Sequence, residues 1–157
     1  MSDLYLWLRI AHILSATLLF GTGTGTAFFM WRAHRSGDVA HIATTARHVV
    51  AADWLFTAIP GVVQLATGLW LVREAGYALT EPWLLLALAL FLLALGCWLP
   101  VAWLQIRMRD LANAASAANA ALPAAYGRYF RVWFALGWPA FAAVLAIFVL
   151  MVFRPDF

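Results

Sequence analysis

Lysine is missing from this chain altogether, so its ten basic residues are all arginine, and charged residues reach only 11% of the sequence against about 25% in soluble domains. So little charge cannot cover a water-exposed surface, which excludes an ordinary soluble fold. The single cysteine, Cys97, excludes a framework of intrachain disulfides. No Ser/His/Asp triad, paired-carboxylate site or zinc-ligand spacing is present, so hydrolytic and zinc chemistry lack their residues. The arginines do not form a stripe with aromatics between them. A sequence pI near 9.6 therefore points away from nucleic acid and towards anionic lipid headgroups as the partner.

What is there is apolar: 66% of the residues are hydrophobic and the mean hydropathy is +0.87. A helix needs ~20 largely apolar residues to cross a hydrocarbon layer about 30 Å thick. Four such stretches, at about residues 4–31, 54–72, 82–106 and 132–153, with their connections nearly use up the 157 residues. Met-Ser-Asp precedes the first stretch where a signal peptide would carry basic residues, so it reads as an uncleaved span. The expected fold is all-α, one integral membrane domain over 1–157: a four-transmembrane-helix bundle of antiparallel, up-down topology.

The arginines orient it. Arg32, Arg35 and Arg47 fall between the first two spans and Arg107, Arg109, Arg128 and Arg131 between the last two, whereas Arg9, Arg73 and Arg154 lie at the opposite face. The positive-inside rule puts the loops at about 32–53 and 107–131 in the cytoplasm and both termini on the outer face. Ser36-Gly37-Asp38 is a turn-and-cap signal, so the second helix begins well before its apolar stretch. The run 110–121 extends the third helix beyond the membrane until Leu122-Pro123 turns the chain. Pro60, Pro100 and Pro139 should kink the helices that contain them.

His12 is the only histidine at membrane depth. Helical spacing sets Arg9, His12, Ser15, Ala16 and Gly23 on one stripe facing the bundle interior, and Asp53, Thr57, Pro60, Gln64 and Thr67 on another. A tight hairpin about Gly37 brings His12 to the depth of Gln64, which predicts a polar cluster. A neutral imidazole can ligate haem iron between helices, with Arg9 one turn outward to pair with a propionate. The same imidazole can instead be satisfied by Gln64 or a carbonyl freed by Pro60. With no second histidine at that depth, a haem would be five-coordinate, take Met151 or use a second protomer. His34, His41 and His48, seven residues apart, lie about 10 Å from one another along a continuous helix, too far for one metal, and are expected at the cytoplasmic interface, although a helix break at Gly37 could bring His34 near His41. Asp53, at the cytoplasmic edge of the second span, is open to a proton-relay role, but the expected account is an interfacial ion pair with Arg47 or an arginine of the last loop. Gly21-Thr22-Gly23-Thr24-Gly25-Thr26 lies inside a span and lacks the P-loop lysine, so it reads as a small-residue packing face.

Several ordered motifs add up: Leu8-Arg9-Ile10-Ala11-His12, Ala52-Asp53-Trp54-Leu55-Phe56-Thr57, Thr67-Gly68-Leu69-Trp70-Leu71, Glu81-Pro82-Trp83 and Met151-Val152-Phe153-Arg154-Pro155. Together they resemble the bacterial predicted integral membrane protein family known as domain of unknown function 2269, over nearly the whole chain. A more distant similarity is to HemJ-type protoporphyrinogen oxidases and CopD-like membrane proteins. The HemJ group's first-span histidine is associated with haem b, which the resemblance implies for His12 alone. This chain has arginine where that group's ending has lysine, and it lacks the third-span lysine and the Asn-Glu after the fourth-span arginine. The oxidase activity is therefore not carried over.

The leading expectation is a bacterial inner-membrane protein that binds haem b through His12, with Arg9 and Gln64 beside it, and acts in membrane redox chemistry. The alternative is a non-catalytic accessory subunit or a small permease for a metal or metabolite, with no cofactor, working as a homodimer or in a larger membrane complex.

Overall fold

A computed structural model describes residues 3–155. Among the described residues there are four long helices and no strand: α1 (Asp3–Ser36), α2 (Val39–Glu74), α3 (Pro82–Ala117) and α4 (Ala124–Phe153). Each is long and apolar enough to cross a membrane.

The helices outrun the hydrocarbon. The 34 residues of α1 correspond to roughly 50 Å at 1.5 Å per residue, against about 30 Å of lipid tails. The surplus lies at the arginine-rich end, where all four helices pack into a core. Its largest fully buried side chains are Met30, Ile42, Met108 and Tyr126, one from each helix. Ala33, Ala46 and Ala112 lie between them and let the backbones come close.

Local chemistry sets the connections. Gly37 takes the left-handed conformation, with φ +70°, where a side chain would be strained. Asp38 then caps α2: its Oδ1 accepts from the backbone N–H groups of Ala40 (2.9 Å) and His41 (3.2 Å). The helix that contains Arg109 continues to Ala117, and Pro123 precedes α4. At the far end Arg154, itself left-handed with φ 41°, closes α4. Its guanidinium donates to the Tyr77 hydroxyl and lies over the rings of Tyr77 (5.3 Å) and Trp83 (5.7 Å), tying the end of α4 to the α2–α3 connection.

Within α2, residues Trp54–Ala58 form a π turn directly before Pro60. Proline has no N–H, and its ring crowds the carbonyl four residues back, that of Phe56; widening the turn relieves both. Pro100 and Pro139 lie inside α3 and α4 without interrupting them. Beyond the π turn, Ile59–Glu74 packs on α1 and comes within 8 Å (Cα–Cα) of no residue in α3 or α4. This outer half of α2 therefore depends on α1 for its position.

The expected close helix approach at Gly21 and Gly25 is not found within the chain. A Cβ added at Gly21, Gly23 or Gly25 meets nothing within 4 Å. The threonines between them satisfy their hydroxyls locally: Thr24 donates to Phe20 O and Thr26 to Thr22 O, both at 2.8 Å.

Asp38→Ala should lower stability by about 1 kcal/mol, the usual worth of a helix N-cap, measured by thermal unfolding in detergent. An unchanged midpoint would mean that the start of α2 is fixed by packing alone.

Candidate functional site

Two polar clusters lie inside this apolar bundle, and α2 contributes to both. The first joins α1 to the outer half of α2. His12 Nδ1 is 2.9 Å from Thr67 Oγ1, and His12 Nε2 is 2.9 Å from Gln64 Nε2. Ser15 Oγ donates to Gln64 Oε1 and lies 3.0 Å from the carbonyl of its own His12.

With Thr67 donating to Val63 O and the Gln64 oxygen turned to Ser15, the donors and acceptors around the ring match one tautomer. Thr67 spends its single hydroxyl proton on Val63 O, at 2.6 Å, so towards the imidazole it can only accept. Nδ1 therefore carries the ring proton. The Gln64 oxygen is turned to Ser15, so its NH2 faces the ring and donates to Nε2, which retains its lone pair. This arrangement suits a neutral imidazole in the Nδ1–H form, held at both nitrogens from α2.

Close approach makes this possible. A Cβ at Gly68 would lie 3.0 Å from His12 Cε1, and one at Gly61 would lie 4.0 Å from the Leu19 side chain. Gly68 is thus the floor on which the ring rests. Sequence spacing put Ser15 and Thr67 on the right stripes and foresaw His12 beside Gln64. It had no means of finding Gly68, because a glycine's value here depends on which side chain crosses it. Arg9 is not brought into the cluster: it is exposed, with its guanidinium 5.7 Å from the centre of the Tyr5 ring.

The second cluster joins α2 to α3 and α4. Asp53 is buried, at 5% exposure, and its expected arginine partner is not there. Arg47 donates to Asn113 Oδ1 (2.8 Å) and Thr44 Oγ1 (3.0 Å), and among the described residues the one ion pair is Arg109–Asp110. Asp53 Oδ2 instead accepts from Trp98 Nε1 at 3.0 Å. With the Gln105 amide turned so that its nitrogen donates to Asp53 Oδ2 (2.8 Å), its oxygen accepts from Trp133 Nε1 (3.2 Å). The cause is helix geometry: Asp53 is on the buried face of α2, whereas Arg47, six residues earlier, is on its exposed face.

The π turn explains why the two clusters face different helices. At about 100° per residue, Asp53 and Gln64 would lie within roughly 20° of each other on a regular helix. Yet Asp53 meets α3 and Gln64 meets α1. An extra residue in one turn rotates everything beyond it by about 100°.

The remaining histidines hold no site together. His34 stacks face to face on Phe130, with centroids 3.7 Å apart, whereas His41 and His48 are exposed. Among the described residues no group of three or more His, Cys, Asp or Glu could hold a metal ion.

Gly68→Ala should cost about 1–3 kcal/mol, because the new methyl overpacks a ring held at both nitrogens. Gly25→Ala, in open space, should instead be neutral or gain up to about 1 kcal/mol from helix propensity. Unfolding of the two variants in detergent checks the contrast, and equal effects would contradict the close contact.

Comparison with known proteins is short. No curated protein and no solved structure matches the chain. The model of one family, described as predicted integral membrane protein (domain of unknown function 2269), matches residues 6–155. With nearly all of its length matched, this small four-helix chain belongs to that family of integral membrane proteins.

Proposed function

We propose that the His12 cluster is the working site of a small bacterial inner-membrane protein, with His12 as an axial ligand of haem b in membrane redox chemistry. The observation that carries the reading is the state of the imidazole. Nδ1–H is committed to Thr67 Oγ1, and the lone pair on Nε2 faces only a side-chain amide. A ligating histidine has this form: one nitrogen oriented by a hydrogen bond, the other free to donate electrons. The distant resemblance to HemJ-type proteins, which assigns haem b to a first-span histidine, supports it further.

The donor set fits on one condition, that Gln64 turns its amide away from Nε2. Ser15 can follow, since its hydroxyl already has the His12 carbonyl as a second acceptor. Arg9, three residues towards the N-terminus and exposed, supplies a cation for a propionate. Haem b, when bound, would supply one-electron redox chemistry. The protein's part is to keep the ring neutral and to hold its orientation through Thr67. Seven arginines at the packed end orient that end to the cytoplasm, which sets the His12 cluster towards the outer leaflet.

A second reading is favoured by a different observation: every polar atom of the His12 ring has a partner within the chain. On that account the cluster is a clasp between α1 and α2, and the protein is a cofactor-free accessory subunit or permease. Interhelical hydrogen bonds in membranes are worth about 0.6 kcal/mol each and at most about 1.7. His12→Ala would then cost roughly 1–3 kcal/mol of stability and change nothing else.

The absorption spectrum of the detergent-purified protein, expressed with ample haem, separates the two. The haem reading expects a Soret band that His12→Ala abolishes and Gln64→Leu retains. No band in the wild type, or a band unaffected by His12→Ala, would overturn it.

A further inference from the structure

The chemistry of the second cluster is not used by any of this. Asp53 is a carboxyl group in the best-packed part of a membrane protein, with no cation beside it. A permanent buried anion usually has a paired charge, and a permanently neutral acid usually donates its proton to an acceptor. Asp53 has a different environment.

Its neighbours can be taken helix by helix. From α3, Trp98 Nε1 and the Gln105 amide both donate to Oδ2. From α4, Trp133 Nε1 donates to the Gln105 oxygen and so fixes which way that amide points. Along α2 itself, Thr57, one turn further on, turns its buried Oγ1 towards the Asp53 carboxyl without closing a hydrogen bond. None of these groups titrates near neutrality. Among the arginines at this end, Arg47 is engaged with Asn113, Arg109 with Asp110, Arg131 with the Gly127 carbonyl, Arg107 over Trp103 and Arg35 over Trp31, whereas Arg32 and Arg128 are exposed. His34 is stacked on Phe130.

Two opposed effects therefore meet on one oxygen pair. Burial penalises the anion, whereas two convergent N–H donors favour it. Trp98 and Gln105 place both donors on Oδ2, so a proton would reside on Oδ1, the oxygen that receives neither. The Thr57 hydroxyl beside it can serve either state: it donates to an anion or accepts from an acid.

We propose that Asp53 is a proton-binding site of the bundle, a carboxyl that takes up and releases one proton while Trp98, Gln105 and Trp133 hold its ionised form in place. On uptake a proton from water forms an O–H bond on Oδ1 and its positive charge neutralises the negative charge of the carboxylate. On release that bond breaks and the proton passes to water. No electron moves and no other bond changes. The site lies on α2 where it adjoins the π turn, so the two states also differ in how firmly α2 is held to α3 and α4. The inference is independent of the His12 reading and stands whether or not the protein binds haem.

Infrared difference spectroscopy of the full chain in lipid nanodiscs, with carboxyl-13C aspartate, tests it. The expected result is an isotope-shifted carboxylic C=O band that appears and disappears reversibly between about pH 4 and 10, with the band lost in Asp53→Asn. Trp98→Phe removes one donor to the anion and should move the midpoint to higher pH by about one unit, a tenfold change in proton affinity. Should Asp53→Asn fail to fold, the Trp98→Phe shift decides alone. A buried aspartate band that does not titrate in that range, a band surviving Asp53→Asn, or a midpoint unmoved by Trp98→Phe would each overturn the proposal.

Discussion

Lipid offers no hydrogen bonds, and that constraint governs everything else in this molecule. A polar group that enters the bundle is costly unless it finds a partner inside it or on its own helix. The threonines of α1 return their hydroxyls to carbonyls of their own helix. His12 takes both of its partners from α2, and Asp53 takes its donors from α3, with α4 setting the amide behind one of them. The two clusters are consequently the places where the helices recognise one another. Apolar contact alone cannot discriminate helix from lipid, because both surfaces are equally apolar.

The clusters divide the labour of holding α2. Asp53 fixes its inner half within the four-helix core, and His12 fixes its outer half to α1, the only helix that half touches. The π turn between them is the means by which one helix presents polar groups to two neighbours in different directions. Pro60 follows it and crowds the Phe56 carbonyl, so the local backbone there and the pairing of helices beyond it are linked.

Much of this could be read from the chain. Four apolar stretches gave four helices, Ser36-Gly37-Asp38 marked the turn and cap, and a hairpin about Gly37 brought His12 to Gln64. These features are local or follow from counting along two helices joined by a short turn. What could not be read depended on contacts distant in sequence. Asp53 drew an arginine in expectation because charge is the simplest partner for charge, yet indole and amide N–H groups 45 and more residues away take that place. Trp98 and Trp133 were indistinguishable from the other seven tryptophans until α3 and α4 were in position. Gly68 matters because an imidazole crosses it, whereas Gly21 and Gly25, which form the more conspicuous pattern, face open space.

The account rests most heavily on how His12 is held, because both readings of its role require a neutral ring fixed from α2. Solid-state NMR of the 15N-histidine-labelled protein in bilayers, with His12 assigned by its loss in His12→Ala, measures this directly. The predicted result is a neutral imidazole protonated at Nδ1, with Nε2 as the acceptor and with through-space contacts to Gln64 and Thr67. An imidazolium, a ring protonated at Nε2, or a ring in contact with lipid acyl chains instead of α2 would contradict it.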